Sequence, residues 1–200
     1  MSVDRTCPEQ YQLQLDNKVA AYREAMTDAG VSIGDISVHK SEQLGFRMRA
    51  EFRIWHEHGR AHYAMNKPGE KRPYIIEDFP IGAAAINCLM PLLLSALNDS
   101  EMLSRKCFSA EFLTTTSNQV LITLIYHKPL DEAWEVEARA LQQDLGVSII
   151  GRSRKQKVVL DTDFVTETLT IGNRNYSYQQ VESGFTQPNA GINTQMLSWA

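Results

Sequence analysis

The run Phe46-Arg47-Met48-Arg49-Ala50-Glu51-Phe52-Arg53-Ile54-Trp55 alternates with a period of two, and this restricts the fold more than any other stretch. In an extended strand Phe46, Met48, Ala50, Phe52 and Ile54 share one face, and Arg47, Arg49, Glu51, Arg53 and Trp55 share the other. The first is a core face. The second spreads three guanidiniums over about 20 Å at ~3.3 Å per residue. Each is a planar fork of donors suited to phosphate oxygens, and Trp55 can stack or screen. From His39 to Arg72, eight Lys/Arg (Lys40, Arg47, Arg49, Arg53, Arg60, Lys67, Lys71, Arg72) stand against four acids (Glu42, Glu51, Glu57, Glu70). That local excess of +4, in a chain of net charge −4, leaves −8 for the remainder. A polyanion such as RNA suits the basic end. A solvated strand with cross-strand Arg–Glu pairs accounts for the same residues equally well.

Composition narrows the class. Two hundred residues, 43% hydrophobic and 22% charged, can bury a real core. A net acidic chain is no indiscriminate, histone-like binder, so nucleic-acid recognition should be local and shaped. Cys7, Cys88 and Cys107 form no C-x-x-C pair, which argues against a disulfide framework or zinc ribbon and for a reducing, cytoplasmic setting. The polar start reads as no secretory signal. Residues 81–97 carry no charge, yet they are too short for a membrane span and contain Asn87, Pro91 and Ser95. They read as a buried helix, kinked at Pro91, with Cys88 buried and inert.

The remaining elements follow local signals. Thr6-Cys7-Pro8-Glu9 fits a capping box for a helix in which Tyr11, Leu15, Val19, Tyr22 and Met26 keep helical spacing up to Gly30. A short strand is expected near Ile36–Val38, and Gly59 turns the arginine strand into a second around Ala61–Met65. Residues 74–76 could add a third. Residues 108–115 and 119–126 read as a hairpin turned at Ser117-Asn118. Asp131 caps a helix through about Leu145, ended by Gly146. Strands at 147–151 and 157–160 are expected to be joined through residues 152–157, and 168–171 and 175–179 complete the β content. Asn189 caps a last helix in which Ile192, Met196 and Trp199 keep helical spacing. The expected class is mixed α/β with a largely antiparallel sheet.

Several residues invite chemistry. Arg152, Arg154, Lys155 and Lys157 form a second basic cluster that could extend a groove for a nucleic-acid backbone, or a solvated turn. His56, His58 and His62 lack a fourth ligand at metal spacing, so hairpin solvation is the simpler account. A Cys107–His127 nucleophile pair is conceivable, although a small apolar residue beside an exposed His explains it more simply. The carboxamide of Gln187, held by Pro188 beside a helix start, offers one acceptor and two donors in a plane. That set complements the edge of uracil, but equally suits an ordinary turn.

Phe46 through His56, Phe112 through Gln119, Tyr126-His127-Lys128, Ile150-Gly151-Arg152 and Tyr178 through Ala200, with Phe185-Thr186-Gln187-Pro188-Asn189, resemble the N-terminal half of the bacterial tRNA (uracil-5-)-methyltransferases, which make 5-methyluridine in the T-loop. The likeness covers nearly the whole chain in the family's order. Sister enzymes of ribosomal RNA typically begin with an OB-like domain and carry a four-cysteine iron–sulfur cluster, so the tRNA branch fits better. The resemblance implies a base-flipping methyl transfer from S-adenosyl-L-methionine to C5 of the T-loop uridine. In that chemistry a cysteine thiolate adds to C6 and a glutamate-type base removes the C5 proton. It implies that Gln187 lines the uracil and cofactor pocket, that Phe108 stacks in the T-loop, and that Arg53 and His127 contact the RNA. Arg47, Arg49 and Arg152 join this set from strand alternation and charge alone.

The family's Gly-rich cofactor loop, nucleophilic cysteine and terminal base belong after Ala200, and none of Cys7, Cys88 or Cys107 matches the nucleophile. The expectation is therefore an RNA-binding unit over residues 1–178, with residues 179–200 leading into a methyltransferase domain outside this chain. It should bind the T-arm of tRNA without methylating it, need no metal or membrane, and be a monomer when full length. The alternatives are a stand-alone RNA-binding module and, further off, a hydrolase using Cys107 and His127.

Overall fold

The computed structural model describes residues 7–67, 69–70 and 72–200. The alternation at residue 50 onward becomes β1 (Arg49–Glu57), with Ala50, Phe52 and Ile54 buried. His58 and Gly59, both at positive φ (51° and 76°), turn the chain into β2 (Arg60–Met65), which pairs on its far side with β3 (Tyr74–Ile75). Helix α1 (Tyr11–Asp28) precedes them after a 3-10 turn at Pro8–Gln10. Its apolar spacing yields a helix but no buried residue. Thr6, the expected cap, lies outside the described residues.

Helix α2 (Ala84–Asp99) and the single turn α3 (Glu101–Ser104) lead to β4 (Cys107–Thr114), which returns antiparallel to β1. β4 and β5 (Val120–Tyr126) form the expected hairpin, with Asn118 at φ 62° in its turn. Helix α4 (Glu132–Leu145) has both expected ends. The Asp131 side chain accepts from the Trp134 amide at 2.9 Å, and Gly146 sits at φ 63°. It carries the chain over to β6 (Ser148–Ser153), which pairs with β5 in parallel. β7 (Gln156–Val159) closes that edge, giving the order β3-β2-β1-β4-β5-β6-β7. The class is mixed α/β with a mostly antiparallel sheet.

The main core lies between one face of this sheet and helices α2 and α4. Phe52 meets Tyr63, Phe79 and Phe112 edge-on, at ring-centroid separations of 5.4, 5.0 and 5.9 Å. Trp134, fully buried, lies so close on β6 that a Cβ on Gly151 would come within 2.2 Å of its ring. Only glycine fits there. The opposite face carries a smaller cluster of Leu113, Leu121, Ile150 and Val165. Val165 belongs to a two-stranded ribbon, β8 (Phe164–Ile171) with β9 (Arg174–Val181). Helix α5 (Ala190–Trp199) is capped by Asn189, whose side chain accepts from the Ile192 amide at 3.0 Å.

Four expectations are corrected. Residues 36–38 pair with no strand. Their neighbours are held instead by side chains, with Lys40 donating to Gln12 and the Ser41 amide to the Tyr11 hydroxyl. Arg47 and Met48 precede β1, because Arg47 bonds the backbone at Ile81 and Ala83 before α2 rather than the β4 ladder. Residues 152–157 are mostly strand, and only 154–155 form the turn, with Lys155 at φ 67°. Cys88 is exposed, since α2 turns it outward with Leu92, four residues on, while Ile86, Leu89, Met90 and Leu93 face the core.

Candidate nucleic-acid interface

The open face of the sheet carries a layered stack. Arg53, on β1, places its guanidinium carbon 5.2 Å from the Trp55 ring centre and 5.4 Å from that of Phe108. Phe108 in turn stacks on His127, with centroids 4.3 Å apart and planes at 21°. Register explains the meeting. Arg53 pairs with Ser109 on β4, and an irregularity between Cys107 and Ser109 turns Phe108 outward while Cys107 stays in the core. Arg53, Phe108 and His127, expected to act together, are together. Beside the stack lies a concavity of ≈ 310 Å³ lined by Glu51, Arg53, Ala64, Met65, Asn66, Phe108 and Ser109. The Ser109 hydroxyl at its edge is buried without a partner among the described residues. Stacked planes, a cation and unsatisfied polar groups are what an unpaired nucleotide requires.

The other arginines are used differently. Arg49 donates through Nη1 to the Gly184 carbonyl at 2.6 Å and through Nη2 to that of Glu182 at 2.7 Å, with Glu111 3.4 Å away. Arg152 Nε lies 3.0 Å from Glu182, a charge contact rather than an aligned hydrogen bond. Lys157, its cross-strand partner, lies 2.7 Å from Asp163 and 3.4 Å from Glu182. The hydrogen bond between Lys157 and Asp163 raises the lysine's pKa and lowers the aspartate's. Burial, reinforced by Glu51, raises that of Glu111 against the opposing pull of Arg49. Arg47 is half-buried, and desolvation lowers its pKa. Of the second basic cluster, only Arg154 and Lys155 remain at an exposed turn. Sequence reasoning missed Glu182, because a single acid in a Glu-Ser-Gly turn gives no signal that three strands converge on it.

Gln187 is exposed on the span leaving this turn, beside Phe185, which is 85% exposed. The neighbouring Thr186 hydroxyl is buried without a partner among the described residues. The exposed Gln187 carboxamide can supply one wall of a site. Burial pushes the Cys107 thiol up to about 12, and the His127 ring is stacked on Phe108. His56 lies 3.1 Å from the Cys107 carbonyl oxygen, and no group of three His, Cys, Asp or Glu among the described residues could hold a metal ion. No helix among them is long and apolar enough to cross a membrane.

Residues 10–200 match the family model described as tRNA (Uracil-5-)-methyltransferase. Among curated relatives, the tRNA/tmRNA (uracil-C(5))-methyltransferase of Cellvibrio japonicus is 52% identical over 190 residues, 95% of this chain and 51% of that protein. That of Saccharophagus degradans is 51% identical, covering 96% of this chain and 53% of its own length. The chain thus spans about half the length of the curated relatives it matches. Among solved structures, the Pyrococcus abyssi tRNA (uracil-54, C5)-methyltransferase in complex with S-adenosyl-L-homocysteine superposes with a TM-score of 0.64 at 12% identity. It covers 94% of this chain and 46% of that one, and at this identity it speaks for the fold.

Proposed function

The chain belongs to the tRNA (uracil-5-)-methyltransferase family, and from that premise we propose that these 200 residues hold the T-arm of tRNA while a uridine is methylated at C5. The observation that carries the reading is the Trp55–Arg53–Phe108–His127 stack on the part of this sheet face away from the β8–β9 ribbon. An extruded uridine leaves a gap in the loop, and an aromatic pair at the protein surface can take its stacking place, offsetting a few kcal/mol of lost stacking. Arg53 supplies a fork for the adjacent phosphate. S-adenosyl-L-methionine supplies the methyl group. Gln187, with two donors and an acceptor at an exposed turn, suits one edge of the uracil and of that cofactor, and most of the cofactor site falls to residues outside this chain. The attacking thiolate falls to residues outside this chain, and burial holds the Cys107 thiol protonated. Residues 1–178 hold the RNA, and residues 179–200, beginning with the last paired positions of β9, lead out of that unit. The setting is cytoplasmic, with the whole enzyme acting as a monomer.

The test is binding of a T-arm hairpin at several salt concentrations. Arg53→Ala should weaken it and reduce the salt slope by about 0.7–0.9. An unchanged slope removes Arg53 from the RNA face. Transfer of a labelled methyl group by this chain alone would overturn the assignment of the thiolate to other residues.

A further inference from the structure

In the span Phe185–Gln187 the first and last residues are exposed, yet both of its ends are tied to the start of β1. At the first end, both terminal nitrogens of Arg49 are spent on the Glu182 and Gly184 carbonyls. The Glu182 side chain, 4% exposed, reaches Arg152 and Lys157 on β6 and β7, and its amide donates to the Asp163 carbonyl at 2.8 Å. The turn is closed by the Gly184 amide on the Val181 carbonyl at 2.9 Å. At the second end, the Met48 amide donates to the Pro188 carbonyl at 2.7 Å, and the Asn189 side chain donates to the Ser41 hydroxyl at 2.7 Å. Met48 and Arg49 are neighbours in sequence, so adjacent residues of one segment grip either end of a three-residue span. Three residues reach at most about 10 Å. The span has little room to wander although Phe185 and Gln187 stand in solvent.

We propose that Arg49 and Glu182 are positioning residues for Gln187, clasping its span to the strand that carries Arg53 so that amide and stack keep a fixed relation before RNA arrives. This rests on the RNA-holding role proposed above. A loop that must present a planar amide to an extruded base gains from such prior fixing, since ordering it on binding would weaken discrimination more than overall attachment. The clasp also explains why Arg49, although on the open side of the arginine strand, has its two terminal nitrogens turned away from any phosphate.

Two hairpins, with uridine or cytidine at the target position, separate the possibilities in a salt-dependent anisotropy titration. Arg49→Gln and Glu182→Gln should erode the preference for uridine as far as Gln187→Ala does, with the salt slope unchanged. In the free protein, chymotrypsin cleavage after Phe185 should accelerate roughly tenfold in both variants, as expected for a span that opens about 1.4 kcal/mol more easily. Arg53→Ala is the control for the underlying reading and should lower the slope while preserving the preference. A slope lowered by Arg49→Gln would make Arg49 a phosphate contact and sink the clasp. Equal weakening on both hairpins with unchanged cleavage would reduce it to a stability element, and so overturn it. If Arg53→Ala leaves binding and slope untouched, the RNA-holding role fails first, and the cleavage rates still report whether the span is clasped.

Discussion

Arg53 and Arg49 sit four residues apart on one face of one strand, yet they serve opposite ends. Arg53 lies against the Trp55 and Phe108 rings, whereas Arg49 is folded onto two carbonyls and a carboxylate. The difference comes from what covers each position. Over Arg49 the chain returns after β9 and brings Glu182, and the carbonyls there have no strand partner, so a guanidinium satisfies them. Among the described residues no carbonyl or carboxylate is bonded to the Arg53 guanidinium. A basic residue on a sheet face is thus a candidate ligand contact only where no later segment arrives to use its charge.

The sharpest way to break this contrast is to remove one keystone from each region. Glu182→Ala should strand Arg152 and Lys157 and lower stability by about 2 kcal/mol, below the range for fully buried pairs because both bases keep some solvent. Urea midpoints would show it, and a shift under 0.5 kcal/mol would mean the clasp does not support the fold. Phe108→Ala should do the reverse, costing about 1–3 kcal/mol of RNA binding as a lost stacking platform, with the fold nearly unchanged. If both changes weaken stability and binding equally, the two regions are one unit.

Acid provides a finer cut. Burial raises the pKa of Glu111, so its ionised form opposes folding at neutral pH, and the stability tied to its proton is lost as pH rises through the folded value. Glu111→Gln should therefore stabilise the protein near pH 7, with the gain fading as pH falls into the carboxylate range. Asp163 runs the other way, its lowered pKa contributing stability above the ordinary aspartate value that vanishes on further acidification. Parallel pH–stability curves for Glu111→Gln and the parent would refute the burial account. The smallest effect belongs to Arg154→Ala at the exposed turn, expected within about 0.5 kcal/mol of the parent in stability. Its salt slope tells whether the RNA backbone extends that far.

What the sequence disclosed follows from how local each cause is. Helix α4 was readable at both ends because Asp131 and Gly146 act within three residues of themselves. The β4–β5 hairpin was readable because its turn and alternation are contiguous. The stack was reached through resemblance for Arg53, Phe108 and His127, while its geometry depends on a bulge that no pattern announces. The roles of Arg49 and Arg152 were hidden because their partners lie 133 and 30 positions away, at carbonyls and at one unremarked glutamate. Cys88 was misplaced for another reason. A helix without charge gives no polar side to mark which way it faces, and α2 leaves Leu92 and Cys88 in solvent. The beginning of β8 was overlooked because its Thr and Glu positions break the apolar signal, although Val165 and Glu167 are both buried.

The strand order has a consequence for how the chain is made. β1 can zip to β2 as soon as both leave the ribosome, but its other neighbour, β4, follows only after α2, with Ser109 the partner of Arg53. At ~5–20 residues per second that delay is on the order of seconds. Throughout it, a central strand of the finished sheet hangs open along one side, the condition in which nascent chains adhere to one another. Arg49, Glu51 and Arg53 project from one face of that strand, and their charges discourage a second copy from stacking its own strand alongside until β4 is synthesised.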